Sequence, residues 1–135
     1  MQKEIISTKD APQAIGPYSQ AVRFNNLIFV SGQIPIDPET GEIMKGNIKE
    51  QTKQILKNLN NILAAGGSSL DNVLRTTIFL ADLENYTVVN ETYAQYFSDL
   101  PPARSTVQVA KLPMDAQIEI DAIACINREE NLLDA

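Results

Sequence analysis

The sequence predicts an α+β domain: one mixed β-sheet with two helices packed on one face, in the order β-β-β-α-β-α-β-β. Three observations carry this. Two segments repeat apolar residues at spacings of three and four, the period of a helix with one buried stripe. Several shorter runs are rich in β-branched residues and bounded by Gly, Pro or Asn, as strands are. The chain has 135 residues, 44% of them hydrophobic, which is material for one core. No repeat, linker or low-complexity segment divides it, so residues 1–135 read as a single domain. The stretch from about Asn127 to Ala135 reads as a polar tail.

The elements follow in order. Asp10 to Tyr18 carries Pro12, Gly16 and Pro17 and reads as a loop with fixed bends. Strands are expected at about Ser19–Phe24 and Leu27–Ser31, joined through Asn25-Asn26, which tolerates positive φ. Pro35 to Gly41 is a turn-rich loop. From Asn47 to Ala65, the residues Ile48, Thr52, Ile55, Leu56, Leu59, Ile62 and Leu63 form one helical stripe, stopped by Gly66-Gly67. Val73–Leu80 is β-branched and extended. A second helix is expected from Leu83 to Phe97, with Tyr86, Val89, Tyr93 and Tyr96/Phe97 on its buried face. Pro101-Pro102 ends it. The last strands are Ala103–Ala110 and Ala116–Ile126, joined by Lys111 to Asp115.

Strand side chains alternate between faces. One face of the first of these strands carries Ser105, Val107 and Val109, read as facing the helices. The other carries Arg104, Thr106 and Gln108. On the final strand Ile118, Ile120, Ala122 and Ala124 face the helices, and Gln117, Glu119, Asp121, Ile123 and Cys125 face away. If the two strands pair as a hairpin centred between Lys111 and Leu112, Arg104 lies opposite Glu119 and Thr106 opposite Gln117, within about 5.5 Å at Cβ. Two readings follow. One is a surface ion pair worth about 0–1 kcal/mol. The other is a small-acid site, in which the guanidinium fork grips a carboxylate and a neighbouring carboxylate moves protons or orients water. A half-polar sheet face also suits a subunit interface.

Composition narrows the chemistry. The chain has no histidine, which removes His-based nucleophile pairs, His-ligated zinc and His acid–base catalysis. Its 11 basic and 17 acidic residues give a net charge of −6, which argues against broad phosphate-backbone binding. Cys125, the one cysteine, excludes an intrachain disulfide and reads either as a small buried hydrophobe or as a reactive thiol. No apolar run reaches the roughly 20 residues of a membrane span. The N-terminus lacks a signal-peptide core, so a cytoplasmic location is the expectation.

Several blocks resemble the signatures of the Rid family, the reactive intermediate deaminases, also known as the YjgF family. They are Ala14 to Ala21 (AIGPYSQA), Ser31 to Pro35 (SGQIP), Pro102 to Ser105 (PARS), Val109 to Pro113 (VAKLP) and Ile118 to Ala124 (IEIDAIA). They occur in family order from about Ile5 to Ile126. The resemblance implies a chorismate-mutase-like fold and a homotrimer with sites in clefts between subunits. It also implies hydrolysis of 2-imino and 2-enamino acids, such as 2-aminoacrylate and its imine tautomer, to 2-keto acids and ammonia, with no cofactor or metal. By the same resemblance Arg104 binds the substrate carboxylate, Glu119 positions or activates water, Tyr18 closes the cleft, and Ser31 and Gly32 shape it. Asn90 matches a family asparagine and is either a site residue or a plain polar helix residue. Tyr18 also reads as a packed loop ring, and Ser31-Gly32 as a strand end needing small residues. Many members carry cysteine where this chain has Thr106, whose hydroxyl can still bond a carboxylate or water. Two rival functions remain: a non-catalytic carboxylate-binding or regulatory trimer, and an endoribonuclease or translation inhibitor.

Overall fold

A computed structural model describes residues 2–97 and 99–126, so the tail expected from about Asn127 lies outside the described residues. The strands are β1 (Glu4–Ile6), β2 (Ala21–Phe24), β3 (Leu27–Gln33), β4 (Ile36–Asp37), β5 (Glu42–Ile43), β6 (Val73–Leu80), β7 (Ala103–Gln108) and β8 (Ile118–Cys125). The helices are α1 (Ile48–Ala65) and α2 (Tyr86–Ala94). Six strands form one mixed sheet in the order β1-β2-β3-β8-β6-β7, and β4 and β5 make a separate small hairpin that begins in the turn-rich loop and ends just after it. Both helices pack on the same face of the large sheet, as expected.

Local sequence explains most of these elements. Asn47 caps α1, its side chain accepting from the Glu50 N–H at 2.9 Å. All seven residues of the expected stripe are buried, joined by Gln51 and Asn58. Asn58 bridges two polar partners inside the core, donating to the Ile36 carbonyl at 2.9 Å and accepting from Gln54. The β2–β3 hairpin turns at Asn25, with φ 56°. The core lies between α1 and the inner face of the sheet, where Ile28, Ile78, Leu80, Ile118, Ile120 and Ala124 are sealed from solvent.

Gly66 closes α1 against the sheet. A Cβ there would come 2.6 Å from Ile6 Cδ1 and 2.9 Å from Ile28 Cδ1, while φ is an ordinary −94°. Gly66→Ala is therefore expected to destabilise through overpacking, by about 1–3 kcal/mol, read as a lower urea midpoint at unchanged slope.

The expected hairpin between the last two strands is not formed. β7 pairs in parallel with β6, while β8 runs antiparallel between β3 and β6. Arg104 therefore lies beside Thr76, not Glu119, and Thr106 lies beside Ile78, not Gln117. The reason is the connection. β6, α2 and β7 form a strand–helix–strand unit, which returns the chain parallel to its start. That places half-polar β7 at the sheet edge. β8 alternates buried and half-buried residues along its whole length and takes a central place.

The face assignment of β7 is also reversed. Paired residues share a face, and Thr76 and Ile78 are buried toward the helices, so Arg104 and Thr106 lie on the helix side. Gln108 shares that side, accepting from the Leu83 N–H at 2.8 Å. Ser105 and Val107 lie on the open face, where Ser105 Oγ accepts from Arg75 at 2.8 Å. The assignment for β8 holds. The open face is mixed: Phe29 and Val107 are more than two-fifths exposed, among Arg75, Thr77, Glu119 and Asp121.

Candidate active site

Two clusters carry the candidate residues, and they lie on opposite faces of the sheet. The first is a cleft of about 370 Å³ beside β3 and β8, lined among others by Tyr18, Gly32, Pro113, Met114 and Glu119. Its wall begins with Gln20. This buried side chain accepts from the Thr8 N–H at 2.7 Å and donates to the carbonyls of Thr8 at 3.0 Å and Pro12 at 2.7 Å, pinning the loop that carries Tyr18. Gly16 has φ 127°, a conformation only glycine adopts easily. The turn it makes lets the Tyr18 hydroxyl accept from the Ile15 N–H at 3.2 Å. Ser31 Oγ donates to the Ser19 carbonyl at 2.6 Å, so its hydroxyl ties strand to loop.

Between Val30 and Gln33 the ladder to β8 shifts register, a β-bulge at Ser31-Gly32. It brings the Gly32 backbone onto Glu119, and a Cβ on Gly32 would overlap that carboxylate. Met114, which lines the cleft, and the next residue, Asp115, both hold φ of 55°, uncommon for residues with side chains.

Glu119 is half-buried, and its carboxyl titrates above the usual range, through desolvation first and the charge of Asp121 second. The folded chain thus holds this proton more tightly than the unfolded chain does. That contribution to stability is present below the unfolded carboxyl's pKa and is lost as pH rises through the folded value. Glu119→Gln removes the charged form. It is expected to melt higher than wild type near neutral pH, with the difference shrinking toward about pH 4, in thermal scans at both.

The second cluster surrounds Arg104. Its Nη2 donates to the Tyr86 hydroxyl at 3.2 Å, and its Cζ lies 5.0 Å from the Tyr93 ring centroid and 5.7 Å from that of Tyr86. Tyr93 is buried and shares a 2.7 Å hydrogen bond with Thr76 Oγ1, which fixes the ring under the guanidinium. Desolvation raises the pKa of Tyr93. Asn90 is half-buried one turn after Tyr86. Its side-chain amide first, then the charge and hydrogen bond of Arg104, lower the Tyr86 phenol's pKa. Thr106 Oγ1 is buried and meets no hydrogen-bond partner among the described residues. Among the described residues the ion pair is Lys111–Asp115, at 3.2 Å, so Arg104 meets no carboxylate of its own chain there.

The structure thus unites Arg104, Asn90 and Thr106 in one cluster, and Tyr18, Gly32 and Glu119 in another, with Ser31 supporting the second. It does not unite the clusters. Arg104 and Glu119 stand two strands apart and three register positions apart. That is about 10 Å across the sheet and about 10 Å along it, through the sheet from one face to the other. Sequence reasoning missed Tyr86 as a candidate residue: expected on the buried face of α2, it is 41% exposed. Its spacing of four from Asn90 was the available signal. Among the described residues no group of three or more His, Cys, Asp or Glu side chains could hold a metal ion.

The domain is thus α+β, with an oriented arginine that makes no ion pair among the described residues on one sheet face and a half-buried glutamate on the other. Residues 8–126 match the family described as Endoribonuclease L-PSP. The reactive intermediate deaminase A of Arabidopsis thaliana chloroplasts is 51% identical over 93% of this chain and 67% of its own. The human 2-iminobutanoate/2-iminopropanoate deaminase is 49% identical over 90% of this chain and 89% of its own. A crystal structure of a conserved Rid family protein from Yersinia pestis superposes with a TM-score of 0.90 at 48% identity, covering 93% of this chain and 100% of the other. The chain belongs to this family, the YjgF or Rid family.

Proposed function

We propose that this chain is a 2-iminobutanoate/2-iminopropanoate deaminase, hydrolysing 2-imino and 2-enamino acids to 2-keto acids and ammonia in sites between copies of a homotrimer. One observation carries the reading: Arg104 is stacked and oriented, yet meets no carboxylate among the described residues, and Glu119 is out of its reach. The names of the Arabidopsis and human relatives give the reaction class.

The substrate carries a carboxylate next to a C=N carbon. Arg104 holds the carboxylate bidentately, fixing that carbon. Thr106 Oγ1, buried beside it without a partner among the described residues, bonds the same group or a water. Glu119, contributed by the neighbouring copy, takes a proton from the attacking water as its oxygen bonds the carbon. Glu119 returns that proton to the former imine nitrogen, giving the carbinolamine. The carbinolamine's hydroxyl proton then passes to nitrogen, the C–N bond breaks as the C=O forms, and ammonia leaves the 2-keto acid. A carboxyl titrating above its usual range suits a group that both accepts and returns a proton. Tyr18, Gly32 and Ser31 shape the half of the cleft that carries Glu119, and Asn90 the half that carries Arg104. The reaction needs no cofactor.

No helix among the described residues is long and apolar enough to cross a membrane, and a cytoplasmic location suits an enzyme of released imines. The family's description as endoribonuclease supplies a second reading. The absence of histidine and the net charge of −6 weigh against it.

The test is ammonia and keto-acid release from freshly generated 2-iminopropanoate, set beside RNA cleavage by the same stringently purified sample. Acceleration over water with intact RNA supports the deaminase. A folded protein that leaves the imine to decay at its rate in water would instead be a carboxylate-binding trimer.

A further inference from the structure

We infer that the Tyr86 hydroxyl is a substrate-contacting group, donating a hydrogen bond to the carboxylate held by Arg104. The inference rests on the carboxylate-binding reading of the same site and adds a specificity residue to it.

Two tyrosines flank the guanidinium, and they are not equivalent. Tyr93 is buried, with its hydroxyl taken up by Thr76 Oγ1 at 2.7 Å. Its ring supports the guanidinium face, 5.0 Å from centroid to Cζ. Tyr86 fills no core space, being 41% exposed. Its oxygen lies 3.2 Å from Arg104 Nη2. An arginine side chain can only donate, so the phenol oxygen is the acceptor in that bond. The phenol's own hydrogen must therefore go to some other group. Among the described residues no acceptor meets that hydrogen in hydrogen-bonding geometry.

A carboxylate seated on the fork arrives beside Nη2 and so beside this free O–H. The result is a third donor, neutral and preorganised by two neighbours. It contacts only ligands that place an anionic oxygen there. The lowered phenol pKa has the same origin and makes the O–H a better donor. The chemistry selects small 2-imino and 2-keto acids over their uncharged amides.

Tyr86→Phe tests this with little risk to folding, because it keeps the ring and its stacking on Arg104 and removes one exposed hydroxyl. Binding of 2-oxobutanoate is measured by calorimetry, with 2-oxobutanamide as the uncharged control, alongside KM and kcat for 2-iminopropanoate. The expected result is about tenfold weaker acid binding and a KM raised by a similar factor, with a much smaller change in kcat and no change for the amide. Acid binding and KM equal to wild type would overturn the inference. A loss confined to kcat would overturn it too, making the phenol a proton donor instead. The calorimetric arm needs no turnover. A wild type that fails to hydrolyse imines would sink the deaminase reading, while the binding arm still decides Tyr86.

Discussion

Arg104→Ala is expected to lower kcat/KM for 2-iminopropanoate by roughly two to four orders of magnitude, the loss of two charge-assisted hydrogen bonds to a carboxylate. The loss should appear in both KM and kcat, because the same contact binds the substrate and fixes the carbon that water attacks. Arg104→Lys keeps the charge but not the planar fork, and should fall between alanine and wild type. Stability separates this from unfolding. Arg104 lies on the edge strand, makes no ion pair among the described residues, and touches the fold mainly through Tyr86 and Tyr93. Such stacking is worth about 0.5–1 kcal/mol, so the melting temperature should move by only a few degrees. Near-normal hydrolysis by a folded Arg104→Ala protein would remove Arg104 from the site.

What the sequence made legible was local. The α1 stripe is buried as its spacing of three and four requires, and β6 runs over Val73–Leu80 as its β-branched residues suggest. Asn25 takes the left-handed conformation that the Asn-Asn pair permits. The alternation of β8 likewise separates its core face from Glu119 and Asp121. What it hid was partnership. The alternation on β7 splits the strand into two faces correctly, but does not say which meets the helices, because that depends on the strand lying alongside. Nearness in sequence suggested a hairpin with β8. The strand–helix–strand unit that precedes it instead sets β7 parallel to β6, and Thr76 draws Arg104 to the helix side.

The same limit explains Tyr86. The positions of Tyr86, Val89, Tyr93 and Phe97 share a stripe at helical spacing, and a stripe is normally buried. Tyr93 and Phe97 do pack together, with ring centroids 4.5 Å apart. Tyr86 begins the helix, stays 41% exposed, and turns its hydroxyl to Arg104 on the edge strand. The candidate residues were chosen by type and order along the chain. Their division between two faces was not legible, since it follows from topology rather than from any motif.

That division yields the second large effect. Neither Arg104→Ala nor Glu119→Gln chains can complete a site by themselves if each site joins Arg104 of one copy to Glu119 of the next. If the chain forms the proposed homotrimer, co-refolding the two in equal amounts gives trimers of random composition, three-quarters of them mixed. In a ring of three, every mixed trimer contains one junction where an intact Arg104 meets an intact Glu119. One site in four overall is therefore whole, and the mixture should recover roughly a quarter of wild-type activity per chain from two nearly inactive parents. A site contained within one chain predicts no recovery, because every chain in the mixture carries a lesion. The separation of the two residues through the sheet makes that outcome incompatible with joint action of Arg104 and Glu119 on one small substrate. The measurement is keto-acid release from 2-iminopropanoate by each parent, by the co-refolded mixture, and by parents refolded apart and then combined. Activity that appears only after co-refolding locates the site between subunits. It also places Phe29, Val107 and the rest of the open sheet face inside the assembly that joins the two halves.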